Sequence, residues 1–335
     1  MWFRFVKNLL ASALLAFYLT PANTDDLNIF RIGTGGKAGT YYPVGSLIAE
    51  AISNPPGSNL CSQIKQCGVP GLLAVAQSSN GSVSNIEGIA NGELEAGLVQ
   101  ANVSYFAYTA TEMFADRKPQ THLRAIASLY PEHMHIVARK DAGVSSPALL
   151  RGKRVSLNEP GSGTLIDARI VLKEYGLDEE KIEAHYIAGE NAADNILDNT
   201  LDAIFIVSGY PTYSVAQIVN NAQAELVPID GTQRESLVNK FNYFNADVIP
   251  ANTYKNQALD IQTISVAALL VTSESMDEEF IYRLTESLWN DHSRKILDNG
   301  HPRGKSVTME TAIGGLGIPL HPGSLRFYRE SGLLK

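Results

Sequence analysis

The chain has few cysteines. Only Cys61 and Cys67 occur among its 335 residues, separated by five others. That excludes a disulfide-dense scaffold, and no His or Cys spacing elsewhere completes a zinc site. Basic charge is also scarce: 27 Lys and Arg face 35 Asp and Glu, for a formal charge of -8. No basic patch interleaved with aromatics is present, so no nucleic-acid surface is expected. The sequence contains neither Gly-x-Ser-x-Gly nor His-Glu-x-x-His, and nothing nominates a nucleophile with its base. An enzyme is therefore not expected, and neither a cofactor nor a metal is called for.

Long apolar runs are absent except at the start. Arg4 and Lys7 precede an apolar stretch from Asn8 to Thr20, and Thr20-Pro21-Ala22 offers a small-residue cleavage site. This is the pattern of a secretory signal over residues 1–22. An uncleaved anchor is the alternative, but the run is shorter than the roughly 20 residues a helix needs to span a bilayer. Without Arg4 and Lys7, 25 basic side chains face the 35 acidic ones. In an oxidising compartment Cys61 and Cys67 read as one small-loop disulfide. Two free thiols, or half of a metal site, are the alternatives.

What the chain does have is a repeated design. Ile29–Ile32 reads as a strand, then Gly33-Thr34-Gly35-Gly36-Lys37-Ala38-Gly39-Thr40 as a loop, then Tyr41 and Tyr42 as a helix start. Arg154–Leu157 repeats it, followed by Asn158-Glu159-Pro160-Gly161-Ser162-Gly163-Thr164. Each loop offers free N–H groups at the positive end of a helix, which suits an anionic group. Two such loops more than a hundred residues apart suggest two lobes closing on one small molecule. The first also fits a loose dinucleotide fingerprint. The acidic residue required about 20 positions on is missing, because Ser53-Asn54-Pro55-Pro56 occupies that region.

Strands and helices alternate through both halves. Helical stripes recur at Val44, Leu47, Ile48 and Ala51, and at Leu165, Ala168, Leu172 and Tyr175. Strands are expected at Leu72–Ala76, Leu98–Gln100, Leu123–Tyr130, His133–Arg139, His185–Ile187, Ala203–Val207 and Ile264–Val271. Helices are expected at Asn102–Phe114, Asn191–Leu197 and over Glu278–Asp298. Such alternation gives an α/β fold of mostly parallel sheets flanked by helices. Lobe I is expected over 24–138 plus 270–335 and lobe II over 139–269, with hinge crossings near Ile136–Lys140 and Ser265–Leu270.

The candidate ligand-binding residues follow from the loops and sheet edges. Gly35, Gly36 and Thr40 belong to the first loop. One of Tyr41 and Tyr42 should wall the pocket while the other packs inward, because neighbours on a helix point apart. Ser82 caps a helix or meets the ligand, and Asn85 can both donate and accept. Gln100 ends an apolar strand at the carboxyl edge, where open α/β sheets bind ligands. Ser162, Gly163 and Thr164 form the strongest cluster, and Tyr210 could close the far side. Arg154 and Arg169 read as surface or packing charges. His133 and His135 share a strand face, with packing the simpler role.

Six signatures run in order along the chain: Gly33-Thr34-Gly35-Gly36 through Tyr41-Tyr42-Pro43, Gly81-Ser82-Val83-Ser84-Asn85, Gly152–Leu157 with Gly161–Thr164, Gly209-Tyr210-Pro211-Thr212, Ile318–Gly323, and Tyr328–Gly332. In this order they resemble the TAXI-type solute receptors of tripartite ATP-independent periplasmic (TRAP) transporters. Ser78-Ser79-Asn80 departs from the Thr/Gly-rich turn of that pattern. The resemblance implies a two-lobed periplasmic-binding-protein fold of the second type. It also implies a periplasmic location, capture of a small anionic solute such as glutamate or a dicarboxylic acid, and delivery to a TRAP-type permease. A ligand-binding subunit of a membrane sensor, or an exported enzyme on the same scaffold, are the competing readings.

Overall fold

The computed structural model describes residues 27–58, 67–221 and 223–335. The signal pattern and Cys61 lie outside the described residues. The first strands and helices are β1 (Asn28–Gly33), α1 (Tyr41–Ile52), β2 (Ser53–Asn54), β3 (Val69–Pro70), β4 (Leu72–Gln77), α2 (Ser82–Ala90), β5 (Ala96–Gln100) and α3 (Ala101–Thr109). A long strand follows, β6 (Leu123–Arg139), then β7 (Arg154–Ser156), α4 (Gly163–Glu174), β8 (Glu183–His185), α5 (Gly189–Leu197), β9 (Ala203–Ser208) and α6 (Tyr213–Val219). The chain continues through β10 (Ala224–Val227), α7 (Gly231–Lys240), β11 (Asn245–Ile249), a second long strand β12 (Ile261–Ser273), α8 (Glu278–Leu288), α9 (Asp291–Gly300) and α10 (Pro322–Glu330).

The strands lie in the order β4-β1-β5-β12-β6-β9-β7-β8. β1 runs parallel to β4 and β5, and β7 runs parallel to β8 and β9. The two long strands are antiparallel to each other and to their flanking strands β5 and β9. They are what both halves share. β6 pairs with β12 from Leu123 to His133 and with β9 from His133 to Ala138. β12 pairs with β11 from Ile261 to Ser265 and with β5 from Ala268 to Thr272. Partners are exchanged at His133 and across Ser265–Ala268, and there we propose the division between lobes.

The local sequence explains most of these elements. α1 buries Val44, Ile48 and Ile52 on one side, the stripe its spacing predicts. β6 is one strand where two were expected. Pro131 is its one exposed residue, so the missing N–H of proline is tolerated there. The helix expected over Asn102–Phe114 stops at Thr109, because Ala110 turns to φ 53. A separate turn of 3-10 helix covers Glu112–Phe114. The strand expected at His185–Ile187 ends at His185. Strand β12 extends past Ile264–Val271 at both ends.

One hydrophobic core lies in the first half, with Phe30, Ile48, Leu98, Ile126 and Tyr328. Another lies in the second half, with Val137, Ile204, Val215 and Ile249. A third runs through both, joining Val99 and Phe106 to Val155, Leu165 and Leu172. The halves are therefore packed against each other, with the carboxyl ends of β1, β5, β7 and β9 facing a shared space.

Candidate functional site

A cleft of ≈ 370 Å³ opens between the halves. The first half contributes Gly35–Gly36, Ala38–Tyr41, Ser78–Ser82, Gln100 and Glu132. The second contributes Asn158–Glu159, Ser162–Thr164, Ala188–Asn191, Ile206–Ser208 and Ser214. The starts of α1, α2, α4 and α5 all reach it. The first N–H groups of a helix have no acceptor within it, so each start is a source of donors with a positive partial charge.

The structure brings together Gly35, Gly36, Thr40, Tyr41, Ser82, Gln100, Ser162, Gly163 and Thr164. Their roles are unequal. The Ser162 hydroxyl donates to the Glu159 carbonyl (2.7 Å) and accepts from the Leu165 N–H (3.2 Å). It is a filled helix cap and has no hydrogen left for a ligand. The Thr164 hydroxyl accepts from the Val207 N–H (3.1 Å) and the Ser82 hydroxyl from the Gln100 N–H (3.1 Å). Thr164 keeps its own hydrogen to donate, while the Ser82 hydroxyl is also bonded to the Tyr41 hydroxyl. Thr40 bridges the halves: its hydroxyl lies 2.6 Å from the Ser208 hydroxyl and donates to the Gly209 carbonyl at 3.0 Å.

Three expected contacts fall elsewhere. Tyr42 is not among the lining residues, and the Lys37 ammonium sits 5.7 Å above its ring. Tyr41, one position earlier, turns into the cleft and donates its hydroxyl to Glu132 Oε2 at 2.7 Å. Asn85 is fully buried behind the site. Its amide donates to the Thr34 and Leu98 carbonyls (2.7 and 2.8 Å) and accepts from the Ser79 hydroxyl (2.6 Å). Asn85 thus ties the end of β1, strand β5 and the Ser78–Ser82 turn into one frame. Tyr210 is also outside the lining. Its ring lies between the Arg303 guanidinium (3.9 Å) and the His133 ring (4.5 Å). Gly81, not Ser82, is the N-cap of α2.

The most informative unexpected residue is Glu132, on β6 at the floor of the cleft. It is 2% exposed. Burial pushes its carboxyl up to about 8, against a partial opposing pull from the Tyr41 hydrogen bond. Tyr41 engages one oxygen and the other is left for the cleft. Sequence carried no clear signal for it, since it falls between the two strands expected there, in a segment that also holds Arg124, Ser128, His133 and His135. Glu159 and Glu190 stand at the rim, and burial together with the charge of Glu190 raises the Glu159 carboxyl. Among the described residues no Lys or Arg lines the cleft.

The remaining charged candidates are structural. Arg154 pairs with Asp202 (2.7 Å) and Arg169 with Glu179 (2.7 Å). His133 contacts Asp247 (3.0 Å), and His135 contacts the Tyr254 hydroxyl (2.9 Å). Among the described residues no group of three His, Cys, Asp or Glu could hold a metal, and no helix is long and apolar enough to cross a membrane.

The model of the NMT1-like family matches residues 32–332. Among solved structures, the chain is similar to PhnD1 from Prochlorococcus marinus in complex with methylphosphonate. The TM-score is 0.53 at 11% identity, covering 91% of this chain and 99% of that one. It is also similar to a binding-protein component of an ABC phosphonate transporter from Pseudomonas aeruginosa. There the TM-score is 0.51 at 11% identity, covering 84% and 80%. At this identity the likeness is one of fold, and the shared fold is the two-lobed periplasmic-binding-protein fold.

Proposed function

This chain belongs to the NMT1-like family, and from its two-lobed cleft we infer that it is an extracytoplasmic receptor that closes on a small solute. The cleft carries this reading. Its ≈ 370 Å³ is near the low end of the range of about 300–1,000 Å³ usual for small-ligand sites. Loops from both halves line it, so a ligand there rewards closure with contacts from each side. The two neighbours of similar fold are named as a methylphosphonate complex and a phosphonate transporter component, which supports capture of small molecules bearing an acid group.

The lining selects the kind of acid. A carboxylate can be held by the Thr164 hydroxyl and by the N–H groups at the starts of α1, α4 and α5. Among the described residues of the lining no Lys or Arg is present to neutralise a second negative charge, while Glu159 and Glu190 stand at the rim and a nearby ammonium would draw Glu132 into its charged form. That favours a zwitterion over a dicarboxylate: a glutamate-like amino acid with its carboxylate at the helix starts and its ammonium toward Glu132. The resemblance to TAXI-type receptors supports a periplasmic location, with the signal pattern directing export, and delivery to a TRAP-type permease.

Isothermal titration calorimetry against amino acids and dicarboxylates tests the reading. Amino acids should bind more tightly than the dicarboxylates of matching length. Absence of heat with every such compound at millimolar concentration would overturn it.

A further inference from the structure

Behind the cleft, outside its lining, α3 and α4 meet at two polar side chains that are fully buried. Asn102 is 0% exposed and Asp167 1%. Asn102 follows β5 in the first half, and Asp167 follows β7 in the second. The Asn102 amide donates to Asp167 Oδ1 at 2.6 Å. The other atom of each group, Asn102 Oδ1 and Asp167 Oδ2, is buried without a partner.

Both orphaned atoms are oxygens. Two acceptors cannot satisfy each other, and a buried unpaired acceptor is costly. One proton on Asp167 Oδ2 removes both deficits, because a carboxylic acid and a carboxamide can pair through one N–H···O and one O–H···O bond. Turning the amide over does not remove the need. It would put two oxygens 2.6 Å apart, a contact that also requires a hydrogen between them.

We propose that Asn102 and Asp167 form a proton-linked clasp between the lobes, so that closure takes up a proton at Asp167 and opening releases it. The other bonds described across the cleft join neutral groups: the Gly161 carbonyl to the Val83 and Ser84 N–H groups, and Thr40 to Ser208 and Gly209. Asp167 is the ionisable member of this set.

The surroundings agree. Glu132 on β6 and Tyr243, just after α7, are the titratable groups that a negative Asp167 would raise, and of the two only Glu132, itself acidic, could repel it. Strand β9 and the turn Pro147–Leu150, which also pack on α4, bring no titratable side chain. On α4 itself Arg169 is paired with Glu179, and Glu174 with Lys240 of α7. Arg234 of α7 donates to Gln262, and Glu235 is exposed. Tyr105 of α3 is exposed as well. Among the described residues no cation pairs with Asp167, and burial raises its carboxyl to about 8 against an opposing pull from the Asn102 hydrogen bond.

The sign follows from linkage. The closed form holds a proton that a solvated aspartate releases near its ordinary value. Between that value and about 8, the closed-to-open ratio falls as pH rises, by up to about tenfold per pH unit. The inference rests on the two-lobed fold and not on the solute, so its test uses the unliganded chain. Small-angle X-ray scattering from about pH 6 to about pH 9 should show the wild type expanding as pH rises. Asp167→Asn, which can still donate and accept, should stay compact throughout. Asn102→Ala, checked for folding by circular dichroism, should expand at lower pH than the wild type. An Asp167→Asn chain that follows the wild-type curve, or a wild type whose dimensions do not change with pH, overturns the proposal.

Discussion

A Cβ placed on Gly163 would lie 2.0 Å from Gln100 Oε1 and 2.9 Å from Ser82 Oγ. The two halves therefore meet through a contact at which any larger residue would force the Gln100 side chain to move. Gly163 opens α4 in the second half, and Gln100 ends β5 in the first. Gly163→Ala should fold normally in each half but resist closure. Overpacking of this kind costs about 1–3 kcal/mol, or about 5- to 150-fold in apparent affinity, read by calorimetry with the best solute. Adding Gln100→Ala should restore part of the closure. Unchanged affinity in the single variant would mean that the contact does not govern closing.

Asn85 should matter for stability more than for recognition. Its amide satisfies two buried carbonyls, those of Thr34 and Leu98. Asn85→Ala leaves both unpaired, at about 1–3 kcal/mol each. Urea denaturation should show a loss of a few kcal/mol. Asn85→Asp should do no better, since a carboxylate cannot donate to a carbonyl.

Glu132 predicts a pH dependence that runs opposite to that of a salt-bridged acid. Its carboxyl is raised by burial from 4.5 to about 8, so the folded form binds more protons than the unfolded one between those values. Stability contributed by the neutral acid is complete below about 4.5 and is lost as pH rises toward about 8. Glu132→Gln should flatten that decline in denaturation experiments. The same variant should weaken amine-bearing solutes more than amine-free ones if the ammonium meets Glu132.

Cys61 and Cys67 are proposed to form a disulfide. The Cys67 carbonyl accepts from Ser287 and Asn290, which ties this end of the loop to the close of α8 and the start of α9. Peptide mapping without reductant should find the two cysteines linked. Reduction should lower stability by about 2 kcal/mol, the loop-entropy value for so short a ring. Recovery of both as free thiols from protein exported to an oxidising compartment would reject the pairing.

Much of the architecture was legible because its apolar patterns are local. Strands β1, β5 and β9 and the stripe of α1 read directly from composition and spacing. Helix α7 did not, since Leu237 is its one buried residue and a single buried position makes no stripe. Strand β11 is mostly half-exposed and gives equally little alternation. Pro131 hid the continuity of β6, although it stands at the one exposed point of that strand.

The glycine loops of the site were legible for the same local reason. Glu132 and the start of α5 at Gly189–Asn191 were not, because their convergence depends on which strand ends share an edge. Whether Tyr41 or Tyr42 faces the cleft was likewise undecided by spacing alone. The rotation of α1 about its axis decides it, and that is set by packing across the sheet.

Strands β6 and β12 are shared property. Each lends part of its length to one half and the remainder to the other, and they lie side by side. Dissecting the gene at either lobe boundary would leave a fragment with a torn ribbon and an open hydrogen-bonding edge, a template for aggregation. With the division proposed here, bending would be a twist of one two-stranded strap, and unfolding should be a single cooperative event in which neither half outlives the other.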